Sequence, residues 1–236
     1  MDLGSSLWKE TIIAGARELG IQVHPDQAEL FARHAHILVE WNQKMNLTTI
    51  VDPLEMGIKH FLDAILPMAH IQPHSRLLDV GSGAGFPGIA LKIMLPTLQV
   101  TLVEATRKKV SFLKHVIREL GLNQIEAIHS RIENLDRRRT GEFDVIVSRA
   151  FSDLPTFIKL TLPYLTGNGQ LIAYKAKGYE TEIPDIHEIF NRQAGQQETS
   201  WPAAGVRIKM LPFTLPGLCI PRNLVLLRFQ NRVLEI

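Results

Sequence analysis

Apolar positions in the first part of the chain recur with helical spacing. Leu7, Ile12, Ile13, Ala16 and Leu19 form one stripe that stops at Gly20. Ala28, Phe31, Ala32, Ala35, Leu38, Val39 and Trp41 form a second, opened by Pro25, a residue suited to a first helical turn. A third helix is expected from Pro53 to about Leu66, so residues 1–70 read as an α-helical cap. From Arg76 the rhythm changes to short apolar runs. Strands are predicted over Arg76–Val80, Gln99–Glu104, Ile125–Ser130, Phe143–Ser148 and Gln170–Lys175. Between them, helices are predicted over Pro87–Leu95, Arg107–Leu120 and Leu154–Leu165, with Gly121 and Gly167 as stops. Strand and helix in alternation predict an α/β fold, a parallel sheet covered on both faces and wound by right-handed crossovers. Val206–Phe213 and Asn223–Phe229 then follow each other without a helix, which predicts an antiparallel hairpin on one edge of that sheet. Residues 71–236 form this second unit.

Composition narrows the class without naming a function. Of 236 residues, 45% are hydrophobic and 21% charged, as in an ordinary folded globular chain. Apolar runs stay well short of the ~20 residues that span a bilayer. Met1 to Trp8 carries no basic region, apolar core and small-residue cleavage site in succession, and a single cysteine, Cys219, suits a reducing compartment. The expected location is the cytoplasm. Nine histidines show no ligand spacing except His34 and His36, which face different directions on a helix, so no metal site is expected. The net charge of +2 is unevenly spread: residues 105–149 hold ten Lys/Arg against six Asp/Glu. A local basic surface of this kind suits a polyanionic partner.

The strongest local signal is Asp79-Val80-Gly81-Ser82-Gly83-Ala84-Gly85-Phe86-Pro87-Gly88, placed between the first predicted strand and a helix. Alternate glycines let the backbone turn sharply and let a ligand approach where a Cβ would clash. Glu104 closes the next strand, where an acid can accept both hydroxyls of a ribose. The combination points to a nucleoside cofactor. A dinucleotide fingerprint fails when started at Gly81, since its third glycine falls on Phe86; started at Gly83 it matches formally with Gly85 and Gly88, but late relative to the strand. The G-x-G-x-G spacing after Asp79 resembles motif I of class I S-adenosylmethionine-dependent methyltransferases, whose seven-stranded sheet also ends in an antiparallel hairpin.

On that reading, absences discriminate among acceptors. Carbon-5 methylation of a pyrimidine needs a cysteine nucleophile, and Cys219 falls in the late turn. Adenine amino methylation typically uses a D/N-P-P-Y/F/W motif after the fourth strand, where this chain reads Ser148-Arg149-Ala150-Phe151-Ser152. A ring nitrogen such as guanine N7 presents a lone pair and needs neither device. A methyltransferase of the same fold acting on another RNA or a small molecule, a nucleotide-binding dehydrogenase and a noncatalytic RNA-binding module stay open at this point.

Four segments in order carry a more specific resemblance: Trp41-Asn42-Gln43-Lys44-Met45-Asn46-Leu47-Thr48, His60-Phe61-Leu62-Asp63, the loop from Asp79 to Gly88, and Ser148-Arg149-Ala150-Phe151. Together they resemble the bacterial small-subunit ribosomal RNA guanine-N7 methyltransferases of the glucose-inhibited division protein B family, over most of the chain. The resemblance implies S-adenosylmethionine as cofactor, 16S ribosomal RNA of the 30S subunit as partner and a guanosine of the 530 loop as target. Carried over by motif, it implies cofactor contacts from Gly81, Gly83, Phe86 and Glu104, and from Ile132 and Glu133, where isoleucine replaces the family's alanine. It gives Arg149 a place on both the cofactor and the substrate side, and the catalytic role. Candidate RNA contacts are Asn46, His60, Arg137, Arg138, Arg139, Lys175 and Lys177, the arginine run being read as a solvated loop otherwise.

Overall fold

The computed structural model describes residues 1–149, 152–175, 179–182 and 206–229. Two long helices open the chain, α1 (Ser6–Glu18) and α2 (Pro25–Met45). The Ser5 side chain accepts from the Trp8 amide at the start of α1. Pro25 stands at the first position of α2, and Gln27 reaches back to the amide of His24. Asn46 ends α2 in the left-handed region, with φ 51°, a conformation its short polar side chain tolerates. A third helical stretch follows as α3 (Pro53–Met56), a π-helical segment Gly57–Leu62 and α4 (Asp63–Ile65). At Gly57 an added Cβ would meet Trp8 and Ile12 at 3.3 Å, so the glycine lets α1 pack close. The Trp8 indole N–H also donates to the Pro53 carbonyl at 2.7 Å.

The sheet comprises β1 (Arg76–Val80), β2 (Gln99–Glu104), β3 (Ile125–His129), β4 (Phe143–Arg149), β5 (Leu165–Lys175), β6 (Val206–Leu215) and β7 (Ile220–Phe229), in the order β3-β2-β1-β4-β5-β7-β6. β1 to β5 pair in parallel, and β7 lies antiparallel between β5 and β6. Five strands therefore end on one edge, where an open α/β sheet places its ligands. Between the strands run α5 (Gly88–Met94), α6 (Arg107–Glu119), the short α7 (Arg137–Thr140) and α8 (Leu154–Thr161).

Alternation along the strands divides the core. Leu77, Val145 and Val147 join a cluster that also holds Trp8, Phe31, Phe61, Ile89 and Phe112, so the N-terminal helices, α5 and α6 share one core with that sheet face. Leu78, Val80 and Ile146 face a second cluster with Leu154, Phe157 and Ile158 of α8. Burial on both sides explains why these strands read as continuous apolar runs.

Three expected boundaries move. Gly167 does not stop a helix: Pro163 has no N–H to continue α8, a 3-10 turn over Leu162–Tyr164 takes its place, and β5 already runs through Gly167. Pro87 caps α5 from outside rather than opening it. The late hairpin is longer than its apolar runs, because Pro212 sits on the edge strand β6, where a missing N–H is tolerated, leaving a tight turn with Gly217 and Cys219 at positive φ. Among the described residues, no helix is long and apolar enough to cross a membrane.

Candidate functional site

Three consecutive strand-to-helix turns build a cavity of about 280 Å³ on the ligand edge, lined by Val80 and Gly81, Val103 to Ala105, and Ser130 to Glu133. It unites Gly81, Glu104, Ile132 and Glu133 of the expected cofactor set. Gly81, Gly83 and Gly85 all hold positive φ, which is why glycine occupies these turns. The Gly81 and Ser82 amides donate to the Val103 carbonyl, joining the β1 and β2 ends. Buried Glu104 accepts from the Gly83 amide through Oε2 at 3.0 Å and from the Thr106 amide through Oε1 at 2.8 Å. Each oxygen keeps a lone pair for a hydroxyl donor. Tyr164 donates to the carbonyls of Ile132 and Leu135, both at 2.9 Å, and so fixes the third turn from behind.

Asp79 lies beneath the glycine loop, fully buried. Its Oδ2 accepts from the Gly88 amide at 2.9 Å, while Oδ1 has no partner. Burial pushes its carboxyl up to about 7. A glycine in the cavity's first turn, where the backbone stays open, and a buried acid at the β2 end with lone pairs free for hydroxyls fit a ribose-bearing nucleoside such as that of S-adenosylmethionine. Gly83 contributes its amide without lining the cavity. Phe86 lines neither of the cavities described here. Only 3% exposed, its ring stands between His34 and His60, each stacked at 4.8 Å between centroids, with the Arg149 guanidinium 5.2 Å from its centre.

A second, larger cavity of about 660 Å³ opens between the helical cap and the ends of β4, β5 and β7. Asn46, His60, Arg149 and Lys175 of the expected set all line it, with Thr48, Lys59, Asp63, Tyr174 and Arg222. The Asn42 side chain holds the Asn46–Ile50 loop through two 2.9 Å bonds to the backbone of Thr48. The Arg149 guanidinium donates from Nη1 to the Lys59 carbonyl at 2.9 Å and to Asp63 at 3.2 Å, and Nη2 lies 3.4 Å from His60 Nδ1. An arginine only donates, so Nδ1 accepts and the Nε2 proton of His60 points to Thr48 Oγ1, 2.9 Å away. Burial, then the Arg149 charge, lowers the His60 pKa to about 3, so the ring is neutral at pH 7. His60 sits in the π-helical segment, a distortion that recurs at functional sites.

Other expected contacts lie apart from these cavities or are already engaged. Arg137, Arg138 and Arg139, expected as RNA contacts or otherwise as a solvated loop, form the short helix α7 and line neither cavity. Its end is held by Arg76, at the start of β1, which donates to the Thr140 and Glu142 carbonyls, and Arg137 pairs with Glu142. Asp136 caps that helix by accepting from the Arg138 amide, which is why the run folds. Lys175 donates to Glu182 at 2.9 Å and to the Ser152 carbonyl at 3.0 Å. Lys177 lies outside the described residues. Asp63 and Arg222 line the larger cavity without having been assigned from the sequence; for Asp63 the available signal was its place in the segment His60-Phe61-Leu62-Asp63. Among the described residues, no group of three or more His, Cys, Asp or Glu is placed to hold a metal ion.

The sheet order, the glycine turn and the acid after β2 define a class I methyltransferase fold. Solved structures agree at the level of fold: a methyltransferase from Pyrococcus furiosus superposes with TM-score 0.55 at 14% identity, covering 84% of this chain and 97% of that one. A predicted O-methyltransferase from Agrobacterium tumefaciens gives 0.53 at 19%, covering 71% and 80%. Sequence relatives resolve the family. Residues 27–205 match the family model GidB, rRNA small subunit methyltransferase G. The ribosomal RNA small subunit methyltransferase G of Geobacter metallireducens is 39% identical over 94% of this chain and 97% of its own length, and that of Geotalea uraniireducens 46% identical over 74% and 80%. The chain belongs to the rRNA small subunit methyltransferase G family, and its methyl donor is S-adenosylmethionine.

Proposed function

We propose that this protein methylates N7 of a guanosine in the 530 loop of 16S ribosomal RNA, acting on the 30S subunit in the cytoplasm. The observation that carries the reading is the pairing of two cavities on one sheet edge: a turn-built cavity suited to a nucleoside cofactor, and a larger, cation-lined one suited to a nucleotide. When bound, S-adenosylmethionine supplies a sulfonium methyl already activated for in-line transfer. Gly81, Gly83, Glu104, Ile132 and Glu133 hold it, and the loop that Asp79 ties to α5 keeps the backbone open for it. Residues 1–70 supply the cap side of the acceptor cavity, while residues 71–236 supply the cofactor side. Because guanine N7 has a lone pair and no proton, the acceptor cavity needs no general base. Its residues fit that requirement: His60 is neutral with both ring nitrogens engaged, and Arg149 cannot take up a proton. Cys219 lies in the β6–β7 turn, lining neither cavity, which disfavours cysteine-dependent carbon methylation.

The test is transfer from labelled S-adenosylmethionine to small subunits lacking the modification, followed by digestion. Label in 7-methylguanosine at one position is the expected result. Label in another nucleoside, or none despite cofactor binding, overturns the assignment of the acceptor.

A further inference from the structure

Asp63 is 3% exposed and holds two guanidiniums that come from distant parts of the chain. Arg149, at the end of β4, donates from Nη1 to Oδ2 at 3.2 Å; Arg222, near the start of β7, donates from Nε to Oδ1 at 3.1 Å. Arg222 reaches this place because β7 pairs with β5, with Asn223 opposite Lys175. A buried ion cluster is a poor way to add stability, since packed apolar groups of similar volume do as well or better. What the cluster adds is orientation: two planar forks fixed on the wall of the acceptor cavity.

Among the described residues, the other cations of that wall are occupied. Lys59 pairs with Glu55 and Lys175 with Glu182, each within 3 Å, and His60 carries no charge at pH 7. Asp63 balances one of its two arginines, so the cavity's unbalanced positive charge rests on the Arg149 and Arg222 pair. That charge is unsuited to the base itself. A guanine methylated at N7 is a cation, and a guanidinium aimed at the ring would oppose the charge that develops there. A phosphate is the complementary group, matching a guanidinium fork two bonds at a time.

We propose that Asp63 is a positioning residue that sets Arg149 and Arg222 as a two-fork clamp for one backbone phosphate of the RNA segment entering the acceptor cavity. The clamp rests on the methyltransferase reading above, and the experiment separates the two. Steady-state transfer to unmodified small subunits is measured for the full-length protein at several salt concentrations, with S-adenosylhomocysteine affinity measured by calorimetry on the same samples. Arg222→Gln raises the KM for RNA about tenfold and reduces the salt slope of log KM by about 0.7 to 0.9, the loss of one phosphate contact. It leaves S-adenosylhomocysteine affinity unchanged. Arg222→Lys restores the slope but not the KM, because it keeps the charge and loses the fork. Asp63→Asn, which keeps both arginines, raises KM for RNA more than it lowers kcat. An Arg222→Gln enzyme with wild-type KM and salt slope overturns the clamp. So does an Asp63→Asn enzyme whose defect lies wholly in cofactor affinity. Absence of transfer by the wild-type protein overturns the acceptor reading instead, before any variant is compared.

Discussion

The two cavities on the ligand edge are built in different ways. The proposed cofactor cavity is made of three successive turns, each following its own strand, and its lining combines turn backbone with the polar residues Glu104, Ser130, Arg131 and Glu133. The acceptor cavity is made of side chains drawn from the α2 end, the π-helical segment and the ends of β4, β5 and β7. Backbone turns repeat with the fold and suit a ligand common to many enzymes. Side chains gathered from distant segments can be chosen one by one, which suits the part of the site that selects a substrate.

Substitutions on either side should separate these roles. The largest effect is expected at Arg149, whose guanidinium touches Lys59, Asp63, His60 and Phe86 together. Arg149→Ala should lower kcat/KM for methyl transfer by about 10²-fold, the scale of a misplaced reacting group. It should also lower the melting temperature, since it leaves Asp63 buried with one partner fewer. Glu104→Gln weakens a charge-assisted contact worth about 1.5 to 3 kcal/mol, so the KM for S-adenosylmethionine should rise about tenfold or more while the KM for RNA holds.

A pH series sharpens the cofactor side. Asp79 has a pKa of about 7 in the folded protein against 3.8 for an unfolded chain, because burial disfavours its charge. A raised folded value means that its contribution to stability is complete below pH 3.8 and is lost as the pH rises through 7. Asp79→Asn should therefore gain stability relative to the wild type between pH 5 and pH 8, by about 3 kcal/mol, the part of the shift that lies between pH 5 and 7. Denaturant melts at both pH values check it; a difference independent of pH would show that the carboxyl is ionised throughout. The smallest effect is expected at α7, which lines neither cavity. Reversing the charge of Arg137, Arg138 and Arg139 should weaken RNA binding and flatten its salt dependence, with kcat unchanged, as for phosphate contacts that carry no sequence information.

The same contrast explains what could be read from the chain. The strands, the glycine turn and Glu104 were legible because each is a local pattern: an apolar run, alternating glycines, an acid closing the next strand. The third turn was reached only through the family resemblance at Ile132 and Glu133. Asp63 and Arg222 were not legible as partners, since 159 residues separate them and only the antiparallel pairing of β7 on β5 brings them together. Phe86, placed at the cofactor by the family resemblance, is buried between His34 and His60, a packing role that ties the loop to α2 and the π-helical segment and that only the fold reveals. No helix was predicted over the arginine run because its capping acid, Asp136, was counted as charge rather than as a helix start.

The division of labour between the two cavities is tested most directly by titrating S-adenosylhomocysteine into the wild-type, Glu104→Gln and Arg149→Ala proteins by calorimetry. Affinity should fall about tenfold or more in Glu104→Gln and stay within about threefold of wild type in Arg149→Ala, whose guanidinium lines the acceptor cavity alone. An equal loss in both variants would contradict the account, showing that one continuous site holds cofactor and acceptor through the same residues.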